Sequence, residues 1–600
     1  MTLALSDWWA IAAYLIGTLA LGLYFRRRSG SSTEEYFVSG RNVSWWLAGT
    51  SMVATTFAAD TPLAVTGLVY TYGISGNWLW WNMLLSGMMT VFLFARLWRR
   101  SGLMTDAEFA ELRYSGRPAA FLRGFRAVYL GLLINCLILG WVTKAMVGIT
   151  AVALGISEAR ALALCVFFLI PFTGLYATLG GLWGVLWTDL FQFVLKMGVV
   201  IAVAVYGVAA VGGIGPLLAR LSALQAAEGH GAGDPTRFLP MFSLGFEGQA
   251  KWVLPLAAFA LNLGVQWWAS WYPGAEPGGG GYVAQRIFAT RDERHGLLSV
   301  LWFNVAHYAV RPWPWILTAL VALALYPKLE HPEAGYMMVA TTYLPHALRG
   351  LLVAGFFAAF MSTFATQLNW GSSYLVNDFY RRFVRKDAGE KHYVAASRLA
   401  TLVLVGVSAI VASQLSSVVE GWKFVLEVGA GTGAVYILRW YWWRVNAWSE
   451  ISAMLAALGV SVALAKLRPS GGDDLLLFAQ NTLITAGVTT AAWVVVTLAT
   501  RPEPQEVLLR FYRLVRPDAT GWAEVARLAP EVPATHDLVA NLRAWVVGCA
   551  MVYAALFSAG SFCLERPGQG TVLAAVALLC AWQVVREIAR HSWDAEMPRA

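Results

Sequence analysis

Of the 600 residues, 58% are hydrophobic and only 13% charged, about half the charged share of an ordinary soluble domain and too little to coat a soluble particle. Together with a mean hydropathy of +0.57 and 29 Trp, this is the composition of an all-α polytopic membrane protein with aromatic interfacial belts, and it excludes a soluble enzyme, a nucleic-acid binder and a disordered scaffold. The net charge of +9, from 44 basic and 35 acidic residues, gathers in short loops between apolar runs, as membrane topology requires, and forms no nucleic-acid patch. Five scattered cysteines, Cys136, Cys165, Cys549, Cys563 and Cys580, show no paired or metal-ligand spacing.

The first apolar run, Trp8 to Phe25, has Asp7 before it and Arg26, Arg27 and Arg28 after it, the reverse of a cleavable signal peptide. The positive-inside rule then puts its N-terminus outside. Further apolar runs follow at roughly 45 to 72, 77 to 95, 125 to 152, 158 to 178, 187 to 212, 251 to 273, 296 to 326, 346 to 376, 395 to 417, 421 to 440, 449 to 466, 475 to 499, 543 to 563 and 571 to 588, about fifteen crossings with a cytoplasmic C-terminus. The clusters Arg96/Arg99/Arg100, Arg286/Arg291/Arg294 and Arg381/Arg382/Arg385/Lys386 fall in loops expected inside, whereas the outside loops near 328 and 473 are sparse or acidic. Two longer stretches stand between spans: an outside loop near 214 to 250 and an inside one from Arg501 to Asn541. Within the latter, Glu506 to Val515 mixes apolar residues with Arg510 and Arg513 and reads either as a helix lying in the headgroup plane or as a connector tying spans together.

A continuous membrane helix satisfies its own backbone, so a break in apolar surroundings must line a cavity or be buried against protein. The second span contains one. In the run Ala54 to Pro62, Pro62 lacks an amide hydrogen and its ring opposes the carbonyl of Ala58; Asp60 and Thr61 are N-cap residue types, and proline suits a first helical position. The run reads as one half-helix ending and another starting, with Asp60 either a cap or a group facing the solute, and with the carbonyls of residues 54 to 58 in search of partners. A proline kink repaired by Ser and Thr side chains is the alternative. A second interruption falls at Trp271 to Pro277 and the glycines after it, at the end of the seventh span. Counted from the second span, the breaks lie in helices one and six, the spacing of an inverted five-plus-five repeat with a central site.

On the ninth span, Ala359, Ser362 and Thr363 are spaced i, i+3, i+4 and share a helix face. One carbonyl and two hydroxyls, joined by two carbonyls freed at the break, would make a five-oxygen shell for a hard monovalent cation. The same hydroxyls could instead bond back to their own helix.

Tyr36-Phe37-Val38-Ser39-Gly40-Arg41, the run Gly180 to Gln192 with its Thr188-Asp189-x-x-Gln192, the pair Gln285-Arg286, and Ala359-x-x-Ser362-Thr363 closing on Asn377-Asp378-x-Tyr380 occur in this order on these spans. Over about residues 5 to 450 the chain resembles the sodium:solute symporter family. The resemblance implies a LeuT-type inverted five-plus-five helix repeat with one extra N-terminal span and about four extra C-terminal ones. It divides the chain into 1–44 (extra span and loop), 45–212 (first repeat), 213–250 (extracellular loop), 251–445 (second repeat), 446–500 (two spans), 501–542 (amphipathic segment) and 543–600 (two spans and tail). It implies a co-transported sodium ion on the backbone oxygens of Ala54 and Phe57 with Ala359, Ser362 and Thr363. Thr61 falls where sugar-transporting relatives place a polar ligand, while Pro273 to Gly281 looks like an insertion relative to them. Asp189 lies on the family's inward ion pathway, as a relay or second-cation group, or else pairs with Lys196 or an inside-loop arginine.

Ionisable residues within spans are functional hypotheses by default. Lys144, Arg311 and Glu427 could bind a substrate carboxylate or gate by pairing, and Gln266 and Trp267, with Trp268, Trp271 and Tyr272, offer amides and rings of the kind that recognise sugars, with interfacial anchoring the alternative for the tryptophans. The expected solute-binding set is therefore Thr61, Asp60, Gln266, Trp267 and Glu427. His307 has no second histidine or carboxylate one turn away, which argues against an enzyme. The expected function is sodium-driven uptake of a small polar solute through a cell membrane, a sugar slightly ahead, with sodium, solute and bilayer as partners and neither nucleic acid nor an obligate protein partner. Proton coupling, an amino-acid or carboxylate solute, and a sensor or membrane enzyme on the same scaffold are the alternatives.

Overall fold

The computed structural model describes residues 4–229, 232–243, 251–269, 278–414, 418–467 and 475–590. Helices occur in each of the apolar runs. They are α1 (Leu5–Ser29), α2 in two halves (Trp45–Thr56 and Thr61–Tyr72), α3 (Ile74–Trp81 with Leu84–Ser101), α4 (Gly116–Leu154), and Glu158–Ala210, which contains α5 (158–180) and α6 (182–210). Then come α7 in two halves (Leu256–Gly264 and Gly281–Ala289), α8 (Glu293–Leu325), α9 (Leu348–Val384), α10 (Glu390–Gln414), α11 (Val418–Tyr441), α12 (Ala447–Leu467), α13 (Leu475–Ala499), α14 (Leu538–Cys563) and α15 (Pro567–Arg590). Among the described residues, ten continuous helices are long and apolar enough to cross a bilayer, or twelve with the bent pairs in α2 and α3. Glu158–Ala210 has 53 residues, about 80 Å at the usual helical rise and more than twice the hydrocarbon thickness, so it holds two crossings.

The redirection between α5 and α6 falls on the Gly180-Gly181 motif. Gly181 has φ +52°, and a Cβ there would sit 2.9 Å from the Ser29 Cβ and 3.0 Å from the Tyr36 carbonyl oxygen, so both conformation and space demand glycine. The architecture is the LeuT-type one: α2 to α6 and α7 to α11 form the two five-helix halves. The first half-helix of α2 is surrounded by α6, α8 and α9, and α1 lies along α6 and α9. Buried Asp7 fastens α1 at its start, accepting from the Ala4 and Gly350 amides, both at 2.8 Å. After the repeats, α12 and α13 pack on α11. α14 packs on α3 and α8: Trp545 and Tyr553 donate to the Leu85 and Trp81 carbonyls at 2.7 and 2.8 Å, and Trp313 donates to Leu556 at 2.8 Å.

Two connecting stretches carry more structure than a loop reading gives them. After Gly212 and Gly213 close α6, Ile214–Ala227 is helical, with Leu217 and Leu221 buried against α8. Met241–Ser243 (β1) pairs in parallel with Val253–Pro255 (β2). The amphipathic segment forms a helix, Gln505–Val515, that serves as a connector: Leu508, Phe511, Tyr512 and Val515 are buried against protein and not in headgroups. Phe511 stacks on Trp522 at 5.3 Å, Trp522 donates to the Trp440 carbonyl at 2.7 Å, and the Arg113 guanidinium lies 4.7 Å over the Trp522 ring. The interruption expected at 271–277 and the acidic loop near 473 lie outside the described residues.

Candidate cation and solute site

The run around Pro62 is a full break and not a kink. The first half of α2 stops at Thr56, Phe57 leaves the helical region at φ −89°, ψ 68°, and the chain restarts at Thr61 with proline in its first turn. The halves are bent by 61°. The freed carbonyls take partners from three other helices. Ser362 on α9 donates to the Ala54 carbonyl at 2.8 Å and Thr363 to the Thr55 carbonyl at 2.7 Å, while Thr363 also reaches the Ala359 carbonyl at 3.3 Å. The α9 hydroxyls thus bridge to the broken helix, and only Thr363 touches its own helix as well. Arg311 on α8 donates to the Val53 carbonyl at 3.4 Å and to Thr56 Oγ1 at 3.1 Å, with His307 Nε2 3.1 Å from its guanidinium.

The third helix is α6, and its contribution was not legible as such in the sequence. Lys196, 1% exposed, sends its ammonium into the cage: 2.7 Å to the Ala54 carbonyl, 3.2 Å to the Phe57 carbonyl and 3.2 Å to Ser362 Oγ. Three of the five oxygens assigned to sodium from the resemblance are therefore ligands of a lysine, which also lies 5.0 Å over the Phe57 ring. The only sequence signal was a lysine in an apolar helix two turns from Asp189, which reads as an ion pair. Asp189 is engaged elsewhere. Its Oδ2 accepts from Ser51 Oγ at 2.5 Å and lies 3.8 Å from the Arg286 guanidinium, which itself donates to Ser51, Gln285 and Thr366. Thr366 pairs with Thr55 at 3.0 Å. Of the two pairings open to Asp189, the arginine one is formed, and the Thr-Asp and Gln-Arg motifs meet below the break.

Of the solute candidates, Asp60 and Gln266 share one property. Both are buried, at 3% and 1% exposure, and neither the Asp60 carboxylate oxygens nor the Gln266 amide atoms have a hydrogen-bond partner. Asp60 stands at the N-cap position of the second half-helix, but its backbone is already helical, at φ −72°, ψ −25°, and its side chain makes no capping hydrogen bond to the N2 or N3 amide. Thr61 is half-buried, with its hydroxyl 3.5 Å from the Thr56 carbonyl. Trp267 packs between Trp268 and Trp545 of α14, at 5.7 and 5.8 Å. Glu427 is buried on α11. Lys144 is partly exposed, 4.0 Å from Glu158, and so stands apart from the break. Among the described residues, no His, Cys, Asp and Glu cluster could hold a metal.

A cluster of neutral oxygens at a broken helix, faced by hydroxyls of another, is the chemistry of an alkali-ion site in a transporter core. The family model described as "Sodium:solute symporter family" matches residues 36–457. The chain belongs to the sodium:solute symporter family. Within the sodium:solute symporters it is similar to a "Sodium/glucose cotransporter" of Vibrio parahaemolyticus, 24% identical over 490 residues, covering 77% of this chain and 85% of that one. It is similar to "Sodium/glucose cotransporter 1" of Sus scrofa, 24% identical over 488 residues, covering 76% of this chain and 71% of that one. Among solved structures, a Na+-coupled sialic acid symporter in a substrate-bound outward-open state superposes with a TM-score of 0.64 at 18% identity, covering 84% of this chain and 99% of that one. The symporter-family match takes in both five-helix halves and ends within α12, leaving α14 and α15 outside it.

Proposed function

We propose that this sodium:solute symporter is a secondary active transporter that couples inward sodium movement to uptake of a small polar organic solute by alternating access, with a sugar as the favoured class. The observation that carries the reading is the pairing of freed α2 carbonyls with the Ser362 and Thr363 hydroxyls of α9, at 2.8 and 2.7 Å. In this reading sodium takes Ala54, Phe57, Ala359, Ser362 and Thr363 and draws α2 to α9. The solute lies against Thr61, Asp60, Gln266, Trp267 and Glu427, and Asp189 relays charge or a second cation along the inward path. Two buried polar side chains without protein partners support a polar solute, because such groups are costly unless something bonds them. The names of the relatives support the sugar class. The protein lies in the cell membrane, with the N-terminus outside and the C-terminus in the cytoplasm; the basic loops support this orientation.

Each ligand raises the affinity for the other, as coupling free energy is reciprocal. About 2.3 kcal/mol from one charge at 100 mV and about 1.4 from a tenfold sodium gradient would sustain a several-hundred-fold solute accumulation. The test is uptake of labelled glucose, proline and lactate into proteoliposomes under a sodium gradient, with a choline gradient as control. Sodium-driven glucose accumulation is expected. Uptake indifferent to sodium would overturn the coupling, and uptake of another solute alone would overturn the sugar assignment.

A further inference from the structure

The cage at the α2 break already contains a cation, and it is covalently attached to the protein. An ammonium has three donors, and Lys196 spends all three on the cage, on Ala54, Phe57 and Ser362. These are two carbonyls and one hydroxyl of the shell that would strip and hold a sodium ion. An ion among those oxygens and an ammonium within hydrogen-bond distance of them cannot coexist, for reasons both of space and of like charge. We infer that the Lys196 ammonium and sodium are alternative occupants of a single cage, the lysine acting as a tethered surrogate that joins α6, α2 and α9 until a sodium ion displaces it. This inference rests on the reading of that cage as the cation site.

The surroundings fit an exchange of occupants. The charged and titratable groups facing the ammonium are Asp189 on α6 itself and Arg311 on α8. Tyr14 of α1 and Tyr176 of α5 face Asp189, Asp60 of α2 faces Arg311, and α9 presents the Ser362 and Thr363 hydroxyls. Asp189 lies seven residues, two helical turns, before Lys196, and its Oδ1 has no hydrogen-bond partner. That oxygen offers a displaced ammonium a second position. Arg311, fixed on Val53 and Thr56, repels the ammonium and lowers the cost of moving it. Removing the ammonium must therefore raise the affinity of the cage for sodium.

The experiment uses the full chain in lipid nanodiscs, with unfolding followed by tryptophan fluorescence while sodium chloride replaces choline chloride at constant ionic strength. Lys196→Met keeps the length and removes the charge, and is expected to need roughly 5- to 150-fold less sodium than the wild type for half of the stabilisation, the usual range for removal of a coupled ligand. Lys196→Arg keeps the charge and should retain a weak sodium response. A Lys196→Met sodium midpoint equal to that of the wild type would overturn the inference. Should that variant not fold, a Lys196→Gln midpoint equal to that of the wild type would overturn it equally. Failure of the transport reading is distinguishable: uptake would be indifferent to sodium in every variant while the stabilisation titrations still separated them.

Discussion

Replacing Arg123 with methionine should strongly destabilise the protein. Arg123 on α4 is 12% exposed and holds three carboxylates at once: Asp378 at 2.8 Å, Glu111 at 2.8 Å and Glu108 at 3.2 Å. Glu108 and Glu111 are 19% and 23% exposed, so water can resolvate them, but Asp378 on α9 is fully buried. Without the guanidinium it keeps the hydrogen bond donated by the Thr105 hydroxyl, at 2.7 Å. Removing one member of a buried ion pair costs about 3–5 kcal/mol, most of it the stranded charge, which is a factor of about a hundred to several thousand in the folding equilibrium. Asp378→Asn should cost less, because Arg123 keeps its two other carboxylates. The assay is thermal unfolding of the purified variants in detergent. If the cost is the stranded charge, the double variant Arg123→Met with Asp378→Asn must be more stable than Arg123→Met alone. A double variant no better than the single one would refute the reasoning.

Ser362→Ala removes a donor to the Ala54 carbonyl and one oxygen of the cage, so it should raise the sodium concentration needed for half-maximal uptake while the amount of protein in the membrane is unchanged; an unaltered sodium dependence would place the ion elsewhere. Gly181→Ala should cost at least 1–2 kcal/mol from its positive φ, and more from the contact with Ser29; the matched control Gly198→Ala, in open space, should unfold at the wild-type temperature. Glu111 supplies a pH dependence. Burial pushes its carboxyl upward, but Arg382 and Arg123 outweigh that and hold it below the usual carboxylate range. A depressed carboxylate stabilises the fold above its unfolded value, near 4.3, and the contribution is lost as pH falls through the lower folded value. Glu111→Gln should therefore lower the unfolding temperature at neutral pH, with the difference from wild type shrinking in acid; a constant difference would show that charge is not its cause.

What the sequence made legible was local. Pro62 announces a helix break because a missing amide and a ring clash act within four residues, and Ser362 and Thr363 announce a polar face because helical spacing is fixed. The basic loops and apolar runs set the order of the helices for the same reason. What escaped depends on neighbours brought in by the fold. Asp60 has the chemistry of a cap, yet at the break its backbone is already helical and its side chain is left over. Lys196 and Asp189 share a helix face and so read as a pair, but Ala54 and Phe57 offer the lysine bare carbonyls while Ser51 and Arg286 claim the aspartate. Trp267 looked free for a sugar because nothing in its own span foretells that Trp545, nearly 280 residues later, packs against it.

That late tryptophan belongs to a helix whose attachments have a mechanical meaning. α14 is hydrogen-bonded to α3 and α8, and its ring contact is to the segment following the first half of α7. The N-terminal α1, by contrast, is fastened to α6 and α9. The two appendages therefore ride on different sides of the α2 and α9 seam. A fluorophore pair, one on α1 and one on α15, would register movement of α2 against α9 as a change in separation, with the helices outside the two five-helix halves serving as pointers for the helices within them.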